Sequence, residues 1–238
     1  MSFHPREAMV LAAGLGTRMK PLTDTLPKPL IEVAGKPLID HVLDALGVAG
    51  VTHCAVNAHY KAEMLIDHLS GRTAPRVSIS DERAHLMDTG GGVKKALPLL
   101  GDKTFFSYNS DFIWTEGGVP ALRRMGDAWD ETRMDALMLL SPQARTTGFE
   151  GPGDFFMDDD GHLSRRGDAV TAPYVWMGVQ IITKSAYDNT PDDPFSNNLI
   201  WDRMIADGRL YGLEHNGIGC HVGSPDGVIA AEEVLERR

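Results

Sequence analysis

The run Met9-Val10-Leu11-Ala12-Ala13 contains no polar side chain and stops at Gly14-Leu15-Gly16. A strand with one wet face alternates apolar and polar residues, so this run predicts a strand buried on both faces, as in a parallel sheet covered by helices on each side. The pattern then repeats. Apolar residues at 38, 39, 42, 43 and 46 keep helical spacing behind Pro37, which suits a first helical turn. A strand over 51–57, a helix over 62–69 and a strand over 77–80 follow, and that alternation predicts an α/β sheet. Further helices are predicted over 93–99 and 119–129, and further strands over 104–108, 135–140 and 175–182. Ser224-Pro225 opens a capped closing helix. Residues 142–173, dense in Gly, Asp and Arg, predict a hairpin-rich insertion over the sheet. With no repeat or linker, the expectation is one domain over 1–238. Its predicted architecture is a Rossmann-like three-layer sandwich with a mostly parallel, mixed central sheet.

Charge removes several function classes. The chain carries 23 Lys+Arg against 33 Asp+Glu, a formal net charge of -10, so the molecule as a whole repels nucleic acid and anionic membrane. No apolar run approaches the roughly 18 residues of a membrane span. Cys54 and Cys220 are far apart, with no CxxC, which argues against a disulfide framework or structural zinc. With no signal-peptide pattern at the start, the expected setting is cytoplasmic.

The loop after the first strand carries the chemistry. Two glycines and Arg18 stand where backbone amides can close on phosphate oxygens. A Gly-x-Gly here is as often a tight turn as a ligand loop. Met19 occupies the place of the third glycine of a dinucleotide fingerprint, and no GxxxxGK[ST] loop occurs. The continuation raises the loop above a plain turn: Pro27 and Pro29 stiffen the backbone on both sides of Lys28, an unusual setting for a merely solvated lysine. Residues 1–40 carry five Lys+Arg (6, 18, 20, 28, 36) and four Asp+Glu (7, 24, 32, 40), leaving +1 here and -11 in the rest.

These residues, Leu11 to Met19 with Pro27-Lys28-Pro29-Leu30, resemble the signature of the sugar-1-phosphate nucleotidyltransferases, or nucleotide-sugar pyrophosphorylases. The likeness continues through Asp88-Thr89-Gly90-Gly91-Gly92, Asn109-Ser110-Asp111, Gly153-Asp154-Phe155, Gly178 and Val222-Gly223-Ser224-Pro225. The triple glycine and Gly-Asp-Phe are most similar to the N-acetylmuramate-1-phosphate uridylyltransferase branch. The resemblance implies attack by a sugar-1-phosphate oxygen on the α-phosphorus of a nucleoside triphosphate, releasing pyrophosphate. Two polyanions must meet, so the protein's task is positioning and charge neutralisation. Arg18 is then expected at the β- and γ-phosphates and Lys28 at the α-phosphate. Nucleotide contacts are expected from Ala12, Ala13, Gly14, Gly16, Thr17, Asn57, Asp88, Thr89 and Gly90. Sugar contacts are expected from Asn109, Gly153, Asp154 and Gly178, with Arg165 or Arg166 as the cation. Trp176 lies near the sugar positions, although the four tryptophans read first as packing groups.

Asp111 follows a strand that ends at the carboxyl edge of the sheet, and the resemblance implies a Mg2+ ligand there. Relatives place an acid or amide two positions before the glycine of Val-Gly-Ser/Thr; this chain has His221. Three readings stay open: Asp111 alone anchors magnesium, His221 shifts the preference toward Mn2+ or Co2+, or His221 meets phosphate. The expected reaction joins UTP to an amino-sugar 1-phosphate, N-acetylmuramic acid 1-phosphate for preference, in cell-wall (peptidoglycan) recycling. The alternatives are mannose-1-phosphate guanylyl transfer, thymidylyl transfer to glucose 1-phosphate, and a non-catalytic nucleotide-sugar sensor.

Overall fold

A computed structural model describes residues 4–237. Strand β1 (Glu7–Leu11) is followed by the paired two-residue strands β2 (Glu32–Val33) and β3 (Lys36–Pro37) and by helix α1 (Leu38–Val48). Next come β4 (His53–Ala58), α2 (Ala62–Leu69), β5 (Arg76–Asp81), α3 (Asp88–Ala96), β6 (Thr104–Asn109), β7 (Phe112–Trp114) and α4 (Ala121–Ala128). The second half holds β8 (Ala136–Pro142), β9 (Thr146–Thr147), β10 (Phe155–Met157), β11 (Leu163–Arg165) and the long β12 (Tyr174–Thr183). Helix α5 (Asn198–Ala206), β13 (Leu210–Glu214), β14 (Gly219–His221) and α6 (Pro225–Glu236) complete the chain.

The main sheet runs β5-β4-β1-β6-β12, with β8 beyond β12 and β13 beyond β8, while β10 and β11 extend from the start of β12. β5, β4, β1 and β6 are parallel; β12 alone runs against β6 and β8, and β13 is parallel to β8. The sheet is therefore mixed with a mostly parallel core. The apolar character of β1 has its cause in two cores. Ala8 and Val10 pack on one face with Val42, Leu46, Leu65 and Leu122 from α1, α2 and α4. Met9 packs on the other with Val93, Ala96, Ile200 and Met204 from α3 and α5. Helices on both faces make the expected three layers. A third cluster, with Met19, Ile31, Ile113, Val222 and Ala231, sets α6 under the loops that follow β1. The Ser224 hydroxyl accepts from Gly227 N at 3.3 Å, capping that helix as expected.

The structure departs from expectation in several elements. α3 starts at Asp88, five residues before the apolar spacing predicts, so the triple glycine forms its first turns. Residues 142–173 hold one hairpin, β10–β11, together with β9, which pairs with β14. β7, β13, β14 and α5 have no counterpart in the sequence reading. No helix among the described residues is long and apolar enough to cross a membrane.

Candidate active site

Because β1, β4 and β6 are parallel neighbours, their carboxyl ends open at one edge of the sheet. A cleft of about 350 Å³ lies there. Its floor holds Ala12, Ala13, Gly14, Asn57, Asp88 and Thr89, and its far wall holds Lys28, Asn109 and Asp111. Residues scattered over a hundred positions meet here, whereas Gly16, Thr17, Arg18, Gly90 and His221 are not part of this lining.

The floor is rigidly wired. Asn57 Oδ1 accepts from Ala12 N at 2.6 Å and Ala13 N at 3.1 Å, and its Nδ2 donates to Glu82 Oε1 at 2.8 Å. Glu82, with no exposed surface, also accepts from Met87 N through Oε2 at 3.1 Å. The amides of Ala12 and Ala13 and the Asn57 side chain are thus engaged within the protein. They shape the floor of the cleft. Glu82 and its role escaped the sequence reading; the available signal was an acid just past β5, level with the end of β4. Gly90 is required by its neighbour: a Cβ there would lie 2.4 Å from the Phe195 ring. The Phe195 carbonyl accepts from Gly90 N and Gly91 N at 2.8 and 3.0 Å, so this helix start is occupied by chain. Thr89 Oγ1 accepts from Asn197 N at 3.0 Å, which leaves its hydroxyl hydrogen available to another acceptor.

The glycine loop is held from below. Gly16 has φ 63°, and its carbonyl accepts from Thr23 Oγ1 and Met19 N, each at 2.9 Å. Thr23 is buried, and its carbonyl in turn accepts from Tyr60 Oη at 2.8 Å. Thr17 and Arg18 stay exposed. Arg18 makes no hydrogen bond or ion pair among the described residues, yet its charge acts on both Asp111 and His221. Lys28 Nζ donates to Asp111 Oδ2 at 2.7 Å. Burial alone would raise the Asp111 carboxyl, but Lys28, His221 and Arg18 together hold it below its ordinary value.

His221, on β14, reaches the same place. Its ring lies between Phe112 and Phe149, with centroids 5.7 and 5.9 Å away. Nδ1 lies 3.2 Å from the Gly148 carbonyl, which can only accept, so Nδ1 carries the hydrogen. Burial pushes the imidazole below its ordinary pKa against the opposing pull of Asp111. In the neutral form of the ring, the unprotonated Nε2 lies 3.9 Å from Asp111 Oδ2. One carboxylate oxygen and one imidazole nitrogen form a donor pair that fits a divalent cation whose other ligands are phosphate oxygens and water. No group of three or more His, Cys, Asp or Glu among the described residues could hold a metal.

On the other side of β6, Gly178 has φ 73° and lies against Asn109; a Cβ there would be 3.1 Å from Asn109 Cβ. Asn109 Oδ1 is buried with no hydrogen-bond partner among the described residues. Asp154 Oδ2 accepts from Trp176 N at 2.9 Å, and burial raises its carboxyl above the ordinary value. Gly153, with φ 86°, would place a Cβ 2.1 Å from the Ala172 carbonyl oxygen, so it serves a close chain crossing. Trp176 packs edge-on against Trp201 at 4.7 Å. The arginines are engaged elsewhere. Arg165 lies over Phe155 and Trp201, at 5.2 and 5.4 Å, and bonds Asp202 through Nε at 2.9 Å. Arg166 donates to the Ala169 carbonyl at 2.6 Å. The expected sugar-phosphate cation is thus tied to α5 or to its own turn.

An α/β sheet with a glycine loop, two cations and a carboxylate at its carboxyl edge is an arrangement suited to holding phosphate groups. The nucleotidyl transferase family model matches residues 7–150, and the chain belongs to that family. It is 46% identical over 239 residues, 99% of both chains, to the N-acetylmuramate alpha-1-phosphate uridylyltransferase of Caulobacter vibrioides. It is 39% identical over 231 residues to a mannose-1-phosphate guanyltransferase of Hypocrea jecorina, covering 92% of this chain and 61% of that one. In fold it is similar to the inositol-1-phosphate CTP transferase from T. maritima, with TM-score 0.76, 16% identity, and coverage of 99% of this chain and 98% of the other.

Proposed function

We propose that this chain joins UTP and N-acetylmuramic acid 1-phosphate to give the UDP-sugar and pyrophosphate, in the cytoplasmic recycling of peptidoglycan. The reading of the substrate is carried by the 46% identity, over 99% of both chains, to a relative of that named activity. The site chemistry supports the reaction class. The sugar phosphate attacks the α-phosphorus as the pyrophosphate departs on the opposite side, so charge must be balanced at both places. Arg18, exposed and without an ion pair among the described residues, meets the departing pyrophosphate with a planar fork of donors. Lys28 sits at the cleft wall as a point charge for the α-phosphate. Asp111, with His221 Nε2 beside it, would hold a divalent cation, magnesium in the first instance. When bound, that cation supplies positive charge at the phosphates. Asp88 and Thr89 face the base, and Asn109, Asp154 and Gly178 line the approach of the sugar.

The test is to offer purified protein UTP, GTP and dTTP with N-acetylmuramic acid, mannose and glucose 1-phosphates. UDP-N-acetylmuramic acid as the dominant product supports the reading; GDP-mannose with no UDP-sugar removes it. Binding of UTP with no pyrophosphate under any divalent metal would instead mark a sensor.

A further inference from the structure

The cation expected at the α-phosphate and the carboxylate expected at the metal are bonded to each other. Lys28 Nζ and Asp111 Oδ2 are 2.7 Å apart, with only 12% and 24% of their side chains exposed. Neither side chain makes another hydrogen bond among the described residues. The oxygen that accepts from Lys28 is also the one that faces His221 Nε2 at 3.9 Å. While the ammonium keeps its place, Oδ2 cannot take a metal without bringing it close to Lys28. A divalent cation about 2.1 Å from Oδ2 would sit within about 5 Å of an ammonium that kept its place. The repulsion between charges of +2 and +1 at that separation costs on the order of tenfold in affinity even at the dielectric of bulk water. Pro27 and Pro29 restrain the Lys28 backbone, so any move of the ammonium falls to its four-carbon stem. Arg18 has no such partner to give up, so the two cations differ in what phosphate binding demands of them.

We propose that Lys28 is a latch on the metal position: in the free protein it holds Asp111, and a nucleotide phosphate opens the position to a divalent cation by drawing the ammonium away. The inference rests on the reading of Asp111 as the metal carboxylate. Metal and nucleotide then strengthen each other's binding by the same factor. The free protein holds divalent cations weakly, and the cation enters with or after the nucleotide.

The test titrates Mn2+ alone into wild type, Lys28→Met, Lys28→Gln, Asp111→Asn and the Lys28→Met/Asp111→Asn double variant. Free Mn2+ is read by electron paramagnetic resonance, and the fold of each variant is checked by circular dichroism. Lys28→Met and Lys28→Gln should bind Mn2+ about tenfold more tightly than wild type, and the double variant should lose that gain. UMP at saturating concentration, verified by calorimetry, should bring wild type close to Lys28→Met. Should neither Lys28 variant bind more tightly while Asp111→Asn weakens binding, the latch is overturned and the metal assignment stands. Should Asp111→Asn leave Mn2+ binding unchanged in every background, the metal assignment fails and the latch with it. A wild type whose affinity UMP does not raise overturns the opening by phosphate.

Discussion

The two sides of the cleft are built on opposite plans. On the floor, Asn57 and Glu82 are buried and bonded to Ala12, Ala13 and Met87, so these groups already have partners within the protein. On the proposed phosphate side, Thr17 and Arg18 are exposed, and Lys28 and Asp111 hold each other. Under the proposed function, the difference separates two tasks. A planar base is recognised by a surface that does not move, because any ordering left to the moment of binding weakens affinity. Phosphate transfer needs charges that exchange partners as substrate arrives. The floor should therefore report on stability and nucleotide affinity, and the phosphate side on turnover.

Mutations can break or sharpen that division. Arg18→Ala should lower kcat by a hundredfold or more, about 3 kcal/mol of barrier on the scale of one oxyanion-type donor, with the melting temperature unchanged. A matching fall in melting temperature would show Arg18 to be structural. Glu82→Ala leaves Asn57 Nδ2 and Met87 N without acceptors and should destabilise the protein by about 2 kcal/mol, with a higher KM for the nucleotide. Denaturant unfolding and steady-state kinetics check both halves, and a variant with reduced kcat alone contradicts the division. Thr23→Val keeps the methyl beneath Gly16 but loses the hydroxyl that holds its carbonyl. It should cost about 1 kcal/mol in kcat/KM, with Thr23→Ser restoring most of it.

The smallest expected effect is on stability against pH. Asp111 has a folded pKa below its unfolded value, so the stability it contributes is present above the ordinary carboxylate range. That contribution fades as pH falls through the lower folded value. Asp111→Asn should therefore flatten the acid limb of a melting-temperature profile.

Much of this was legible in the sequence. The buried β1, the helical spacing of α1 and α2 and the Ser224 cap are local signals, and the structure reproduces them. Gly14 of the glycine loop and Lys28 between its prolines line the cleft at the carboxyl edge of the sheet. What stayed hidden depends on distant chain. α3 begins at Asp88 because the Phe195 carbonyl receives two amides of its first turn, whereas three successive glycines have low helix propensity. β7 and β14 are three residues each, too short for a period to show. β13 is interrupted by Gly212, where a Cβ would lie 2.7 Å from both Leu140 Cδ1 and Leu163 Cδ2. The pairing of Arg165 with Asp202 spans 37 positions and carries no motif.

The central claim is that phosphate transfer takes place at Asp111 beside the glycine loop. Its most direct test is pyrophosphate release from UTP and N-acetylmuramic acid 1-phosphate, with divalent metal, by wild type and by Asp111→Ala. The account predicts a loss of about a thousandfold or more in the variant, with the circular dichroism spectrum retained; a variant that turns over at the wild-type rate contradicts it.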